Sequence, residues 1–180
     1  MSEPKPFRPS RTGDDGSTSF TKHRISKASP VIKLIGMLDS LQASLADALY
    51  IVKRDMTYWT YFFDYKYYQK LMVTSEILHH LVLRMYQIMG CIYNETDIPK
   101  LYNDELDNYL GRMPFQQQRG FILPIASEVM TKINLARTTT REAELQFHYS
   151  KDCLAESNLN IGIFLNRLSS VLYAAMIYCT

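Results

Sequence analysis

Cysteine is scarce in this chain: Cys91, Cys153 and Cys179 stand far apart, and no CxxC pair occurs. That spacing indicates neither a zinc site nor a disulfide framework, and it fits a reducing compartment. Glycine and proline are also thin, with seven of each. Outside residues 1–30 they mark the ends of patterned segments rather than a loop-rich fold. No stretch reaches the ~18–20 uninterrupted apolar residues of a bilayer span, so no membrane partner is expected. The N-terminal segment has no apolar signal core, and Glu3, Asp14 and Asp15 come too early for a transit peptide. A cytoplasmic location is the default expectation. Charge of one sign is not in excess either. The net charge of +2 leaves no broad nucleic-acid footprint, so any anion site must be local.

Familiar chemical signatures are missing as well. There is no GxxxxGKS or GxxxxGKT phosphate loop, and no Ser-His-Asp or Cys-His arrangement stands out. His79 and His80 are adjacent, so on a helix they point about 100° apart and cannot readily share one ion. No metal site is expected from them. No run of alternating apolar and polar residues competes as a strand.

What is present is helical periodicity in a chain of 180 residues, 47% apolar and 21% charged, which suits one domain with a real core. Leu34, Leu38, Leu41, Leu45, Leu49 and Val52 recur at three and four, the stripe of an amphipathic helix. Ser29 and Pro30 sit where an N-cap and a first helical residue belong. A second helix carries Leu78, Leu81, Met85, Ile88 and Ile92 at heptad spacing. A shorter one is expected from about Pro99 to Tyr109, and a fourth from near Pro124 to about His148. A fifth runs from about Leu159 to the end, with Ile161, Phe164, Leu165, Leu168, Leu172 and Met176 on one face. The aromatic run at 57–68 has no assigned element; core, interface and base-stacking surface all remain open for it. Residues 1–30, rich in Pro, Gly, Ser and Thr, read as a loop or extended arm, and 31–180 as the bundle. The fold class is all-α, an antiparallel up-and-down bundle with short connections.

Three segments carry residues that a plain bundle does not require. Ser10-Arg11-Thr12-Gly13-Asp14-Asp15-Gly16-Ser17-Thr18-Ser19 has two glycines that let backbone N–H groups converge on an anion, with hydroxyls beside them. Arg24 and Lys27 follow and can neutralise phosphate charge. An Asp-Gly turn in an arm is the plainer reading of the same residues. In the fourth helix, Arg137, Arg141 and Glu144 fall at i, i+4 and i+7, so one face presents two guanidiniums and a carboxylate. Arginine's planar fork suits polyphosphate, although a solvated face with an Arg141–Glu144 pair is equally open. In the last helix, Asn166 is a poor helix former beside an apolar stripe, where an amide needs a partner or a ligand.

Together and in this order, these segments resemble the ATP:corrinoid adenosyltransferase family. That family opens with a TGDxGxT-type arm followed by a lysine, matched here by Thr12-Gly13-Asp14-Asp15-Gly16-Ser17-Thr18 and Lys27. Its first-helix pattern G-x-x-D-E-L-N-S is met by Gly36-Met37-Leu38-Asp39-Ser40-Leu41-Gln42-Ala43. F-I-L-P-G-G is met by Phe121-Ile122-Leu123-Pro124, A-R-x-x-x-R-R-A-E-R by Ala136-Arg137 through Arg141-Glu142-Ala143-Glu144-Leu145, and L-N-R-L-S-D by Leu165 through Ser170. The likeness extends from about Arg8 to about Tyr178.

The resemblance implies a five-helix, ferritin-like bundle that forms homotrimers with ATP at each subunit interface. It implies transfer of the 5′-deoxyadenosyl group of ATP to Co(I) of a corrinoid, yielding adenosylcobalamin and triphosphate. By the same resemblance, Ser10, Arg11, Thr12, Gly13, Thr18, Ser19 and Lys27 would wrap the triphosphate and its Mg²⁺. Arg141, Glu144 and Asn166 would hold the nucleotide from the bundle side. Arg137 would pair with Asp39 of a neighbouring subunit, and Phe121 would lie beneath the corrin ring and displace its lower ligand. A reductase and an adenosylcobalamin-dependent enzyme are the partners such chemistry calls for. Ser40, Gln42, Ile125, Ala126, Glu142, Leu145 and Ser170 depart from the family pattern, which keeps open a non-catalytic paralogue that binds ATP or corrinoid as a carrier or regulator.

Overall fold

A computed structural model of the chain describes residues 11–59, 64–114, 122–154, 158 and 160–179. The leucine stripe after Pro30 forms helix α1, Pro30–Trp59, and Leu34, Leu38, Leu41, Leu45 and Val52 on it are fully buried. Ser29 starts it, its Oγ accepting the Ile32 N–H at 3.3 Å. The heptad stripe lies on α2, Tyr65–Tyr93, where Leu78, Leu81, Met85, Ile88 and Ile92 are all buried. Helices α3, Leu101–Arg112, α4, Glu128–Ser150, and α5, Asn160–Tyr178, complete the bundle. Helix α1 packs between α2 and α4, α5 covers α4, and α3 lies against α5.

Two boundaries differ from the periodicity reading for identifiable reasons. Of the aromatic run at 57–68, residues 57–59 end α1 and 65–68 begin α2, while 60–63 lie outside the described residues. Asp64 sets that start by accepting the Tyr67 N–H at 3.0 Å. Helix α4 begins later than Pro124, because Ser127 in extended geometry accepts the Met130 N–H at 3.1 Å and caps the helix there.

The arm holds a correction. Where no strand was expected, Ser17–Phe20 (β1) and His23–Ser26 (β2) pair as an antiparallel hairpin, with Ser17 opposite Ser26 and Phe20 opposite His23. Both strands are short and polar with no sheet face to bury, so they carry no alternation to detect. The hairpin rests on the bundle through Phe20, whose ring meets Tyr93 edge-on at 5.8 Å. Ser150 Oγ and Gln146 Nε2 both donate to the Pro30 carbonyl, at 2.8 and 3.2 Å. Asn160 Nδ2 donates to Asp97 Oδ2 at 2.7 Å. These bonds gather the start of α1, the end of α4, the start of α5 and the loop after α2 at one end, where the hairpin also sits.

Helices α1 and α5 are long and apolar enough on average to cross a membrane. In the bundle their apolar stripes form the core instead. Cys179 is buried beside Thr74 Oγ1 at 3.2 Å, and burial pushes its thiol up to about 11, which keeps it protonated at neutral pH.

Candidate functional site

Two clusters of polar side chains stand out, one in the arm and one between α4 and α5. In the arm the chain reverses over residues 11–16, with Gly16 N–H donating to the Gly13 carbonyl at 3.2 Å and Asp14 N–H to the Arg11 carbonyl at 3.3 Å. Gly16 has φ +77°, a conformation that favours glycine, and Arg11 is also left-handed at +54°. Gly13 keeps the close approach of Lys27 open. A Cβ there would lie 2.9 Å from Lys27 Nζ and 3.2 Å from the Ser17 carbonyl oxygen. Lys27 Nζ donates to the Gly13 carbonyl at 2.6 Å, so the lysine closes over the turn.

Arg24, itself exposed, reaches back to the same loop. Its guanidinium donates to the Thr12 carbonyl at 2.5 Å, to both Asp15 oxygens at 3.1 and 3.3 Å, and to Ser17 Oγ through Nε at 2.9 Å. Asp15 in turn accepts the Ser17 N–H and hydroxyl at 2.9 and 2.7 Å. Those Ser17 bonds, with the charge of Arg24 behind them, hold the Asp15 carboxyl below the usual carboxylate range. Thr18 is half-buried on β1 and Ser19 is exposed opposite Arg24. Ser10 lies outside the described residues.

The second cluster joins α4 to α5. Asn166 Nδ2 donates to Glu144 Oε1 at 3.0 Å, and Arg141 Nη1 stands 3.8 Å from Glu144 Oε2. The Glu144 side chain is only 12% exposed while Arg141 is 59% exposed. A nearly buried carboxylate therefore holds the Asn166 amide by a hydrogen bond, and the exposed guanidinium stands beside it in a looser ion pair. Arg137, half-buried one turn earlier, donates through Nε to Asn134 Oδ1 at 3.0 Å. Asp39 is exposed on α1. Phe121 lies outside the described residues. Among those residues, no group of three or more His, Cys, Asp and Glu side chains could hold a metal ion.

Glu144 and Asn166 stand at a cleft of about 350 Å³ that is also lined by Phe147, His148, Gly162, Ile163 and Arg167. These five lining residues were not among the site residues read from the sequence. One signal was available: a glycine inside an otherwise apolar helix often marks a close approach. A Cβ on Gly162 would lie 2.5 Å from Phe147 Cε1, so the ring packs directly on the α5 backbone and leaves the cleft open above it. Arg167 is tied back to α3, donating to Asp107 Oδ2 at 3.0 Å and to the Asn103 carbonyl at 3.3 Å. Gly162→Ala should crowd this buried ring and cost about 1–3 kcal/mol of stability. Denaturant titration of variant against parent checks it, and an unchanged midpoint contradicts the contact.

Several residues that depart from the motifs have structural work. Gln42 Nε2 donates to the Val82 carbonyl at 3.0 Å, joining α1 to α2, and Ser40 Oγ donates to the Gly36 carbonyl at 2.9 Å. Glu142, Leu145, Ile125, Ala126 and Ser170 are exposed.

Comparison with known proteins gives a consistent picture. The family model for cobalamin adenosyltransferase matches residues 9–179. The corrinoid adenosyltransferase PduO of Citrobacter freundii is 28% identical over 183 residues, covering 91% of this chain and 47% of the relative. The chain thus spans about half the length of that curated relative. Among solved structures, a phenylalanine-to-alanine variant of a PduO-type ATP:corrinoid adenosyltransferase from Lactobacillus reuteri, complexed with cobalamin and ATP, aligns with a TM-score of 0.70 at 21% identity. It covers 94% of this chain and 91% of that one. An arginine-to-lysine variant from the same organism, complexed with ATP, aligns at 0.68 and 20% identity over 94% and 92% of the two chains. At such identity the likeness of these structures is one of fold.

Proposed function

Because the chain belongs to the cobalamin adenosyltransferase family, we propose that it transfers the 5′-deoxyadenosyl group of ATP to the Co(I) of a corrinoid substrate and releases triphosphate. The observation that carries this reading is the meeting of Glu144 and Asn166, from two separate motifs, at one cleft, with Arg141 next to Glu144. An amide fixed by a carboxylate, with a guanidinium beside that carboxylate and a largely apolar cleft next to it, suits a nucleotide, whose base and ribose prefer shelter and whose phosphates require cations.

The reaction asks little covalent chemistry of the protein. Co(I) is itself the nucleophile: it attacks the 5′ carbon, the C–O bond to the triphosphate breaks, and the electron pair leaves with the triphosphate oxygen. Negative charge builds on that oxygen, so fixed cations and N–H donors are what lower the barrier. Arg141 from the bundle, with the turn at Thr12 and Gly13 and with Lys27 from the arm, supplies such donors. Lys27 then exchanges the Gly13 carbonyl for phosphate oxygen. Ser10, Arg11, Thr18 and Ser19 add hydroxyl and backbone donors along residues 1–30, the nucleotide-binding arm, and Mg²⁺ enters with the ATP.

Within one chain, the bonds of Arg24 and Lys27 go to the arm and those of Glu144 to Arg141 and Asn166. A complete pocket formed by the arm of one subunit and the α4–α5 face of the next reconciles these two clusters, as expected of a homotrimer. Arg137 and Asp39 are the proposed intersubunit pair. Phe121 is the proposed apolar floor beneath the corrin, excluding a lower ligand that would stabilise higher oxidation states of cobalt. Cytoplasmic location and supply of electrons by a reductase complete the reading.

Anaerobic incubation with Co(I)-cobalamin and MgATP tests it: adenosylcobalamin and triphosphate should accumulate together in equal amounts. Nucleotide binding without product would replace the enzyme with a carrier of ATP or corrinoid.

A further inference from the structure

The two cations that reach back over the loop are held differently. Lys27 is held by a single carbonyl and can leave it, whereas the Arg24 guanidinium is shared among three points of the loop: the Thr12 carbonyl, the Asp15 carboxylate and the Ser17 hydroxyl. A lone exposed ion pair holds little. A planar fork that bridges three loop positions is different, because it fixes the loop's shape as well as its charge. Asp15 adds to this by accepting both the N–H and the hydroxyl of Ser17. The strand register brings Arg24 opposite Ser19, so the hairpin aims the guanidinium back over the turn. The left-handed conformations of Arg11 and Gly16, which an unrestrained chain visits seldom or at entropic cost, lie just before this clasp and within it, between Asp15 and Ser17.

We propose that Arg24 is a positioning residue: with Asp15 and Ser17 it clamps residues 12–17 in the shape that receives the nucleotide, and it does not itself bind phosphate. The inference rests on the reading of the arm as the nucleotide-binding segment. Its consequence is that the loop is ordered before ATP arrives, so binding does not have to supply that ordering.

The experiment is titration of the full-length protein with MgATP, for the parent, Arg24→Ala, Arg24→Lys, Asp15→Ala and the double variant. Losing the clasp should raise the ATP dissociation constant about tenfold or more, the equivalent of newly ordering about one loop residue. Arg24→Lys keeps the charge but not the fork, so it should resemble Arg24→Ala. Asp15→Ala should also weaken binding, and the double variant should be no weaker than Arg24→Ala. In turnover assays the change should fall on KM for ATP more than on kcat, and KM for the corrinoid should hold. Without nucleotide, amide exchange across residues 12–17 should speed up in Arg24→Ala while the bundle helices exchange as before. A phosphate-binding arginine gives the opposite pattern: Asp15→Ala frees it and tightens ATP, and Arg24→Lys retains most of the affinity. Either of those results, or parental ATP affinity in Arg24→Ala, overturns the proposal while the parent's nucleotide binding leaves the functional reading standing. A parent that binds no MgATP sinks both.

Discussion

Arg141→Ala is expected to slow adenosyl transfer by about 10²–10³-fold, the usual consequence of removing one preorganised donor from a site of developing negative charge. The side chain is mostly exposed and its pairing with Glu144 is long at 3.8 Å, so the bundle itself should not depend on it. Helix content and the denaturation midpoint of the free protein should therefore hold, while the upward melting shift caused by MgATP disappears. Arg141→Lys should fall between, since an ammonium keeps the charge without the bidentate fork. An ATP affinity equal to the parent's in Arg141→Ala would remove this face of α4 from the nucleotide site.

Phe164→Ala should have the largest effect on stability, a loss of about 3–5 kcal/mol. Its ring is fully buried on α5 within the continuous core formed with α1, α2 and α4. The neighbouring Leu165 and Leu168 are also fully buried, so little slack is available to collapse into the space left. Asn166 and Gly162 stand on the same helix, so loosening α5 should lower nucleotide affinity along with the unfolding midpoint. Urea unfolding followed by circular dichroism measures the first, and a loss below about 1 kcal/mol would contradict a tightly filled core at this position.

Much of the bundle was legible because a helix writes its buried face at a fixed spacing. Leu34 to Val52, Leu78 to Ile92 and Ile161 to Met176 each form a stripe, and each stripe is buried except at the half-buried Leu49. The ends were harder. Asp64 and Ser127 are the actual caps, and each competes in the sequence with nearby polar or proline residues that could serve. The hairpin could not be read at all, since two strands of four residues, mostly Ser, Thr, His and Arg, are too short to show a period.

The sequence by itself determined which side chains could serve an anion and a nucleotide: Gly13, Lys27, Arg141, Glu144 and Asn166 can be named from residue type and motif order. Tertiary structure decided which of them meet. Glu144 reaches Asn166 across two helices, Phe147 fits only because residue 162 has no side chain, and Arg24 turns inward onto Asp15 instead of outward. The physical reason is range. Helical periodicity and cap chemistry act over a few residues and are recorded locally, whereas the cleft wall joins two helices and the clasp joins a strand to the loop before its partner strand, and no local period records either.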